Sequence, residues 1–232
     1  MPRPITTLFL LASVDGKIST GDTDALDFDR DLKTIAGVRE GLLQYYELEQ
    51  RTDLASLNTG KVMAKIGVND RTDEPTRIPV TFVIVDNEPH LTARGVEFLS
   101  KWVERLLIVT TNRSHPSYGS NRSNVTTIPC DSPVDFPALF LRLGEEHGID
   151  RLTIQSGGTL NATLVRAGLV DRLSIVLAPV IVGGKDTPSL VAGESLHAVG
   201  ELGKVRALRL VAADVLQDSY LHLRYDVKND WI

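Results

Sequence analysis

The sequence predicts an α/β fold: a mostly parallel central sheet flanked by helices, with antiparallel strands at the C-terminal end. Three observations predict it. Short runs rich in β-branched residues, such as Val80-Thr81-Phe82-Val83-Ile84-Val85, alternate with segments of helical periodicity. Several of those runs are continuously apolar, the pattern of strands covered on both faces by helices. Two further strand-like stretches, 205–211 and 220–227, close the chain and read as an antiparallel addition.

The elements follow in order. Residues 5–13 are an apolar, β-rich run, and Asp15-Gly16-Lys17 supplies turn chemistry at its end. A polar loop covers 20–31. Ile35, Val38, Leu42, Tyr45, Tyr46 and Glu49 trace a helical spacing with a mostly apolar inner face. Residues 53–58 read as a short buried strand, 69–79 as an exposed loop, and 79–85 as a strong strand closed by Asp86-Asn87. Then come a helix over 96–103, a short strand over 106–110, a long loop over 112–133 holding one short strand, and a helix over 135–147.

The next stretch is the most regular. A strand over 151–155 leads into the tight turn Ser156-Gly157-Gly158-Thr159 and a helix over 160–167, roughly 12 Å long at 1.5 Å per residue. Thr159 is placed to cap that helix, and Gly168 falls where a left-handed residue ends one. Residues 173–182 read as a long strand in which Pro179 marks an edge or bulge. No repeat or linker divides the chain, so one domain over 1–232 is expected, with its core over about 5–227.

Composition removes whole classes of function. With 42% apolar and 24% charged residues, the chain is neither disordered nor collagenous. It carries 25 basic against 30 acidic residues, a net charge of −5, and no basic run of the kind a nucleic-acid binder presents. The single cysteine, Cys130, rules out an internal disulfide and a Cys-rich metal site. The five histidines (90, 115, 147, 197 and 222) show no ligand spacing, so no metal is expected. The apolar run Leu8-Phe9-Leu10-Leu11-Ala12 is shorter than a signal sequence requires, and no stretch reaches the roughly 18 apolar residues of a membrane span. A cytoplasmic protein acting on a small molecule, without nucleic-acid or membrane partners, is expected.

The strand–turn–helix at 151–167 carries the clearest chemistry. Two glycines at a strand end let a ligand approach the backbone, and the helix that follows turns free N–H groups and a positive dipole toward it. Those features favour a phosphate, although an ordinary βα turn has the same two glycines. Two more segments gain meaning beside it. Ala12-Ser13-Val14-Asp15-Gly16-Lys17 places a carboxylate and an amine at the end of the first strand, and Ala178-Pro179-Val180-Ile181-Val182-Gly183-Gly184 ends a later strand in a second glycine pair. Gly157-Gly158-Thr159-Leu160-Asn161, with Leu164, Leu169 and Asp171 further on, joins the two.

In this order the three segments resemble the patterns A-S-x-D-G-K, G-G-x-L-N-x-x-L and A-P-x-x-x-G-G of the reductase domain of riboflavin biosynthesis, the RibD C-terminal domain family. The likeness spans about residues 5–225 and is strongest over 149–192. It implies a dihydrofolate reductase-like fold, a homodimer, and an NADPH-dependent reduction of a (5-phosphoribosylamino)pyrimidine to its ribitylamino product. It also implies that Ser156, Gly157, Gly158, Thr159 and Leu160 hold the cofactor pyrophosphate and that Ala12 and Ser13 lie near the nicotinamide. Asp15 and Lys17 become the catalytic pair beside the substrate, with Asn58, Thr59, Gly183 and Gly184 as substrate contacts. Thr110, Thr111, Asn112 and Arg113 match the adenosine-side loop, where Arg113 is suited to a 2′-phosphate.

Two positions depart from the family. Ser156 stands where a glutamate is usual, and residues 53–62 match their family segment only in part. These departures keep two alternatives open: a reductase of another small heterocycle or carbonyl compound, and a non-catalytic nucleotide-binding protein on the same fold.

Overall fold

The computed structural model describes residues 2–229; Met1 and residues 230–232, the ends of the expected domain, lie outside them. In chain order the strands are β1 (Ile5–Ser13), β2 (Ala55–Thr59), β3 (Ile78–Val85), β4 (Val103–Thr110), β5 (Val125–Pro129), β6 (Arg151–Ile154), β7 (Arg172–Ala178), β8 (Ala207–Val215) and β9 (Leu221–Lys228). The helices are α1 (Phe28–Asp31), α2 (Leu43–Glu49), α3 (Gly60–Lys65), α4 (Ala93–Trp102), α5 (Phe136–Glu145) and α6 (Gly158–Arg166). Two compact units share these elements. Residues 2–4 and 53–156 form the first, and 5–52 with 157–229 form the second.

The first unit is built on a parallel sheet in the order β5-β4-β3-β2-β6. Alternation along its strands divides the apolar residues between two faces. Phe82, Ile84, Leu106 and Ile108 turn to one face and pack with Val96, Phe98 and Leu99 of α4 and Met63 of α3. The Trp102 ring meets Phe82 edge-on at 5.5 Å. Thr92 starts α4 by accepting the Gly95 N–H, as the sequence of a capped helix requires.

The second unit has the strand order β1-β7-β9-β8, with β1 and β7 parallel and the β7–β9 and β9–β8 pairs antiparallel. The antiparallel C-terminal strands are therefore as the sequence predicts. Phe9 and Leu11 of β1 pack with Val176 and Ala178 of β7 and with Leu32, Val38, Leu42 and Tyr45. Phe9 stacks on Tyr45 at 5.2 Å with the rings nearly parallel. Tyr220 is fully buried in this cluster, and its Oη donates to the Val38 carbonyl at 2.7 Å. A side chain at Gly41 would collide with the Tyr220 ring, so the chain there must be glycine for the two to approach. β8 lies mostly exposed, with Leu208, Leu210, Val211 and Val215 open to solvent.

Several elements differ from their sequence-based bounds. The periodicity over 35–49 yields a helix only at Leu43–Glu49, because Gly37 adopts a left-handed φ of 83° and leaves turns before it. A helical turn at Phe28–Asp31, capped by Asp27, sits inside the expected loop, and α3, capped by Thr59, follows β2 where no helix was expected. β7 stops at Ala178, since Pro179 has no N–H to continue a ladder. α6 begins at Gly158 with Gly157 as its cap, so Thr159 lies within the first turn and does not cap the helix. Gly168 does take the left-handed conformation, with φ of 68°.

Tyr220→Phe is expected to lower stability by about 1–3 kcal/mol, because the buried Val38 carbonyl would lose its donor. Urea unfolding of the two proteins checks this: the midpoint should fall with the slope unchanged, and an unchanged midpoint would show that the bond contributes nothing.

Candidate active site

The A-S-x-D-G-K segment folds back on itself at the end of β1. The Ser13 N–H donates to the Lys17 carbonyl at 2.8 Å, and Gly16 supports the reversal with φ of 76°. Ser13 Oγ accepts the Lys17 N–H at 2.8 Å and donates to Asp15 Oδ1 at 2.6 Å. The same Asp15 oxygen accepts the Val182 N–H at 3.1 Å, and Oδ2 accepts that of Gly183 at 2.6 Å. Lys17 Nζ donates to the carbonyls of Gly184 at 2.7 Å and Thr187 at 3.0 Å. Gly183 and Gly184 have φ of 73° and 83°, so the second glycine pair is set by backbone conformation.

Five predicted residues (Ser13, Asp15, Lys17, Gly183 and Gly184) thus form one hydrogen-bonded cluster. Its electrostatics constrain their chemistry. The Ser13 hydroxyl, followed by the Val182 and Gly183 N–H groups, holds the Asp15 carboxyl down to about 2 from an ordinary 3.8. Asp15 is therefore an anion near neutral pH, with three donors on its oxygens and no proton to give. Its geometry is that of a residue that positions the 182–187 turn.

Residues 185–192 form a strap between this turn and the first glycine pair. The Ile18 N–H donates to the Pro188 carbonyl at 3.0 Å, and that of Leu190 to the Gly16 carbonyl at 2.9 Å. On the other side the Ala192 N–H donates to the Gly158 carbonyl at 2.9 Å, and Asn161 Nδ2 donates to the Leu190 carbonyl at 2.8 Å. A side chain at Gly158 would collide with the Ser189 carbonyl. The strap, then, requires glycine at 158. Gly157 is different: apart from its chain neighbours, nothing among the described residues lies within 4 Å of where its Cβ would stand. No described side chain caps the start of this nine-residue helix. Beside Lys17 lies a cavity of about 440 Å³, whose lining includes Arg166, Lys185, Asp186, Thr187 and Glu194.

The remaining predicted residues belong to the first unit, apart from Ala12, which is buried on β1, and Thr159 and Leu160, which lie in the first turn of α6. Asn58 Nδ2 donates to Ser56 Oγ at 2.9 Å, and that hydroxyl donates to Gln155 Oε1 at 2.9 Å. Thr59 Oγ1 accepts the Val62 N–H as the cap of α3. The side chains expected to contact substrate therefore have structural partners. Ser156 is buried. Thr110 ends β4, and its Oγ1 donates to the Asp86 carbonyl at 2.7 Å while accepting the Asn112 N–H. Arg113 is 68% exposed and lies 3.6 Å from the fully exposed Asp131.

Sequence reasoning missed Asp86 and His115. The buried Asp86 carboxylate accepts from the His90 N–H, the Leu91 N–H, His90 Nδ1 and His115 Nε2, at 3.0–3.1 Å. Burial pushes its carboxyl up most strongly, yet the bonds from His115, Leu91 and His90 outweigh it and the net direction is down. A Cβ on Gly60 would collide with this carboxylate, so α3 begins directly against it. In the sequence Asp86 is only a strand-closing residue, and His115 lies 29 positions away. Nothing in composition or period joins them. Among the described residues, no group of three His, Cys, Asp or Glu gathers as a metal-ligand set, and no helix is long and apolar enough to cross a membrane.

These motif positions coincide with a known domain: the RibD C-terminal domain matches residues 4–220. The chain belongs to the RibD C-terminal domain family. It is 28% identical over 203 residues to the 2,5-diamino-6-ribosylamino-4(3H)-pyrimidinone 5′-phosphate reductase of Methanothermobacter thermautotrophicus, covering 86% of this chain and 88% of that one. The protein of the same name from Archaeoglobus fulgidus is 26% identical over 222 residues, covering 89% and 94%. Among solved structures, Acinetobacter baumannii RibD superposes with a TM-score of 0.65 at 14% identity, over 97% of this chain; the chain spans 58% of that protein. The riboflavin biosynthesis reductase Rib7 of Saccharomyces cerevisiae gives 0.60 at 17%, covering 97% and 90%. As a RibD C-terminal domain, the chain has the dihydrofolate reductase-like fold.

The Asp15 bonds carry a pH signature. A carboxyl depressed in the folded state stabilises fully above its unfolded value of 3.8, and that contribution is lost as pH falls through about 2. The amide proton of Gly183, bonded to Asp15 Oδ2, should therefore titrate by NMR with a midpoint of about 2. A midpoint at the ordinary carboxyl value of 3.8 would show that the bond does not form.

Proposed function

We propose that the protein is an NADPH-dependent reductase that converts a (5-phosphoribosylamino)pyrimidine to its ribitylamino product in riboflavin biosynthesis, working in the cytoplasm as a homodimer. The observation that carries this reading is the open start of α6 at Gly157, uncapped by any described side chain and built to receive an anion. Full-length relatives named as reductases of such a substrate support it.

A bound nicotinamide would supply a hydride, and with a proton delivered to the neighbouring nitrogen the ring-opened C1′ imine would become an amine. The protein positions the reactants. First-turn N–H groups at Gly158, Thr159 and Leu160 take pyrophosphate oxygens, with Ser156 and Gly157 shaping the approach. Ala12 and Ser13, which end β1, would hold the nicotinamide. Lys17 is an ammonium with three donors, two of them given to the Gly184 and Thr187 carbonyls, and the third serves the substrate. Asp15 keeps that turn in place. In the cavity beside Lys17, three cations (Lys17, Arg166 and Lys185) stand against two carboxylates (Asp186 and Glu194), a balance suited to a phosphorylated substrate. By the resemblance of its segment, Arg113 is assigned in this proposal to the 2′-phosphate. The apolar side chains on the exposed face of β8 suit a second copy of the chain.

Purified protein should oxidise NADPH only when the aminopyrimidine ribosyl phosphate is present. Gly157→Ala is the informative variant, because φ of −73° admits any residue and the Cβ finds space. It should fold as the wild type does while raising KM for NADPH about tenfold, a loss of roughly 1.4 kcal/mol of binding. No turnover with bound cofactor, or an unchanged KM in Gly157→Ala, would contradict the proposal.

A further inference from the structure

We propose that Asp86 and His115 form a buried positioning couple that fixes the loop bearing Arg113 and thereby sets the preference for a 2′-phosphorylated cofactor; this rests on the NADPH reading above. The loop over 111–114 is bounded by Thr110 and His115, and both are bonded to the same residue. Thr110 Oγ1 donates to the Asp86 main-chain carbonyl at 2.7 Å. His115 Nε2 meets the Asp86 carboxylate at 3.0 Å. One aspartate holds both ends.

The imidazole tautomer follows from its other nitrogen. The Ser117 N–H donates to His115 Nδ1 at 3.1 Å, so Nδ1 is an acceptor and the proton on Nε2 points to Asp86. Ser117 Oγ lies 2.8 Å from the same Nδ1 and accepts from Thr127 Oγ1, which ties the couple to β5. His115 is 1% exposed and Asp86 also 1%, so water has no route to replace a lost donor. Two further bonds complete the tether: the Thr111 N–H donates to Asn87 Oδ1 at 3.1 Å, and within the loop that of Ser114 donates to Asn112 Oδ1 at 2.8 Å.

Arg113 thus has a fixed backbone and a free head. Among the described residues its ion pair is the 3.6 Å approach to exposed Asp131, a surface pair that contributes little. A phosphate offers its guanidinium a stronger, bidentate match. Because the tether has already ordered the backbone, binding needs to order only one side chain. Loosening the His115 end moves that ordering cost into the binding step, and only for a ligand that uses Arg113. NADH lacks the 2′-phosphate and should not sense the change.

The test is the ratio of Kd values for NADPH and NADH, measured on the full chain for wild type, His115→Ala, His115→Gln, Arg113→Ala and the double variant His115→Ala/Arg113→Ala. His115→Ala and Arg113→Ala should each weaken NADPH by roughly tenfold and leave NADH within about twofold. His115→Gln, whose amide N–H reaches toward Asp86 as Nε2 does, should recover most of the loss. The double variant should be no worse than Arg113→Ala, because both act through one contact. Equal weakening of both cofactors, or additive losses, would overturn the proposal. If His115→Ala does not fold, Asn87→Ala, at an exposed position, removes the Thr111 acceptor and should shift the ratio in the same direction; an unshifted ratio overturns the proposal too. Wild-type protein that prefers NADPH, with the expected variant pattern, but never turns over supports this inference and contradicts the catalytic reading. Wild-type protein that binds both cofactors equally contradicts this inference.

Discussion

The grip of Asp15 and Lys17 on residues 182–187 is the constraint around which the second unit is arranged. One side chain of a single turn accepts two N–H groups, and another donates to two carbonyls, from a segment more than 160 positions away. A left-handed glycine pair lets the backbone present those groups together. The strap that follows is then committed to run past Gly16 and over Gly158, and its close passage dictates glycine at 158. What remains open is the neighbouring position, Gly157. The place proposed for a ligand is thus a remainder of the packing, left when the strap has claimed one glycine of the two.

The first unit solves a related problem with a buried charge. Isolating a carboxylate from water costs several kcal/mol unless it is fully paired. Asp86 has four donors from two segments, and a helix begins against it at Gly60. In both units an ionised aspartate follows a strand and collects N–H donors, Asp15 from the distant residues 182 and 183, Asp86 from the adjacent residues 90 and 91 and from the His115 ring. Rigid strands bring the chain ends to fixed positions, and the aspartates then hold loops that would otherwise sample many conformations.

The parallel strands were legible because they are continuous apolar runs: β1 coincides with its expected bounds, and β3 begins one residue earlier than its own. Gly168 was legible because only its left-handed geometry ends the helix. The periodicity at 35–42 misled because apolar spacing is also satisfied by turns that bury Val38 and Leu42, and it cannot register the break at Gly37. The two-unit division was invisible for a different reason. The chain passes from one unit to the other three times, the last between Ser156 and Gly157 inside a tight turn, so no linker composition marks a boundary. At the site, the motifs located Ser13, Asp15, Lys17 and both glycine pairs, while the reasons for them came from the hydrogen bonds. Asp86 and His115 left no trace in the sequence, since a polar couple between distant loops has neither period nor spacing.

On the proposed reading, an anionic cofactor group seats on the start of α6. Amide correlation spectra of the protein titrated with NADPH test it directly. The N–H resonances of Gly158, Thr159 and Leu160 should shift strongly and saturate with the cofactor, as donors to a new charged acceptor do. NADPH binding that leaves those three amides in place would contradict the account.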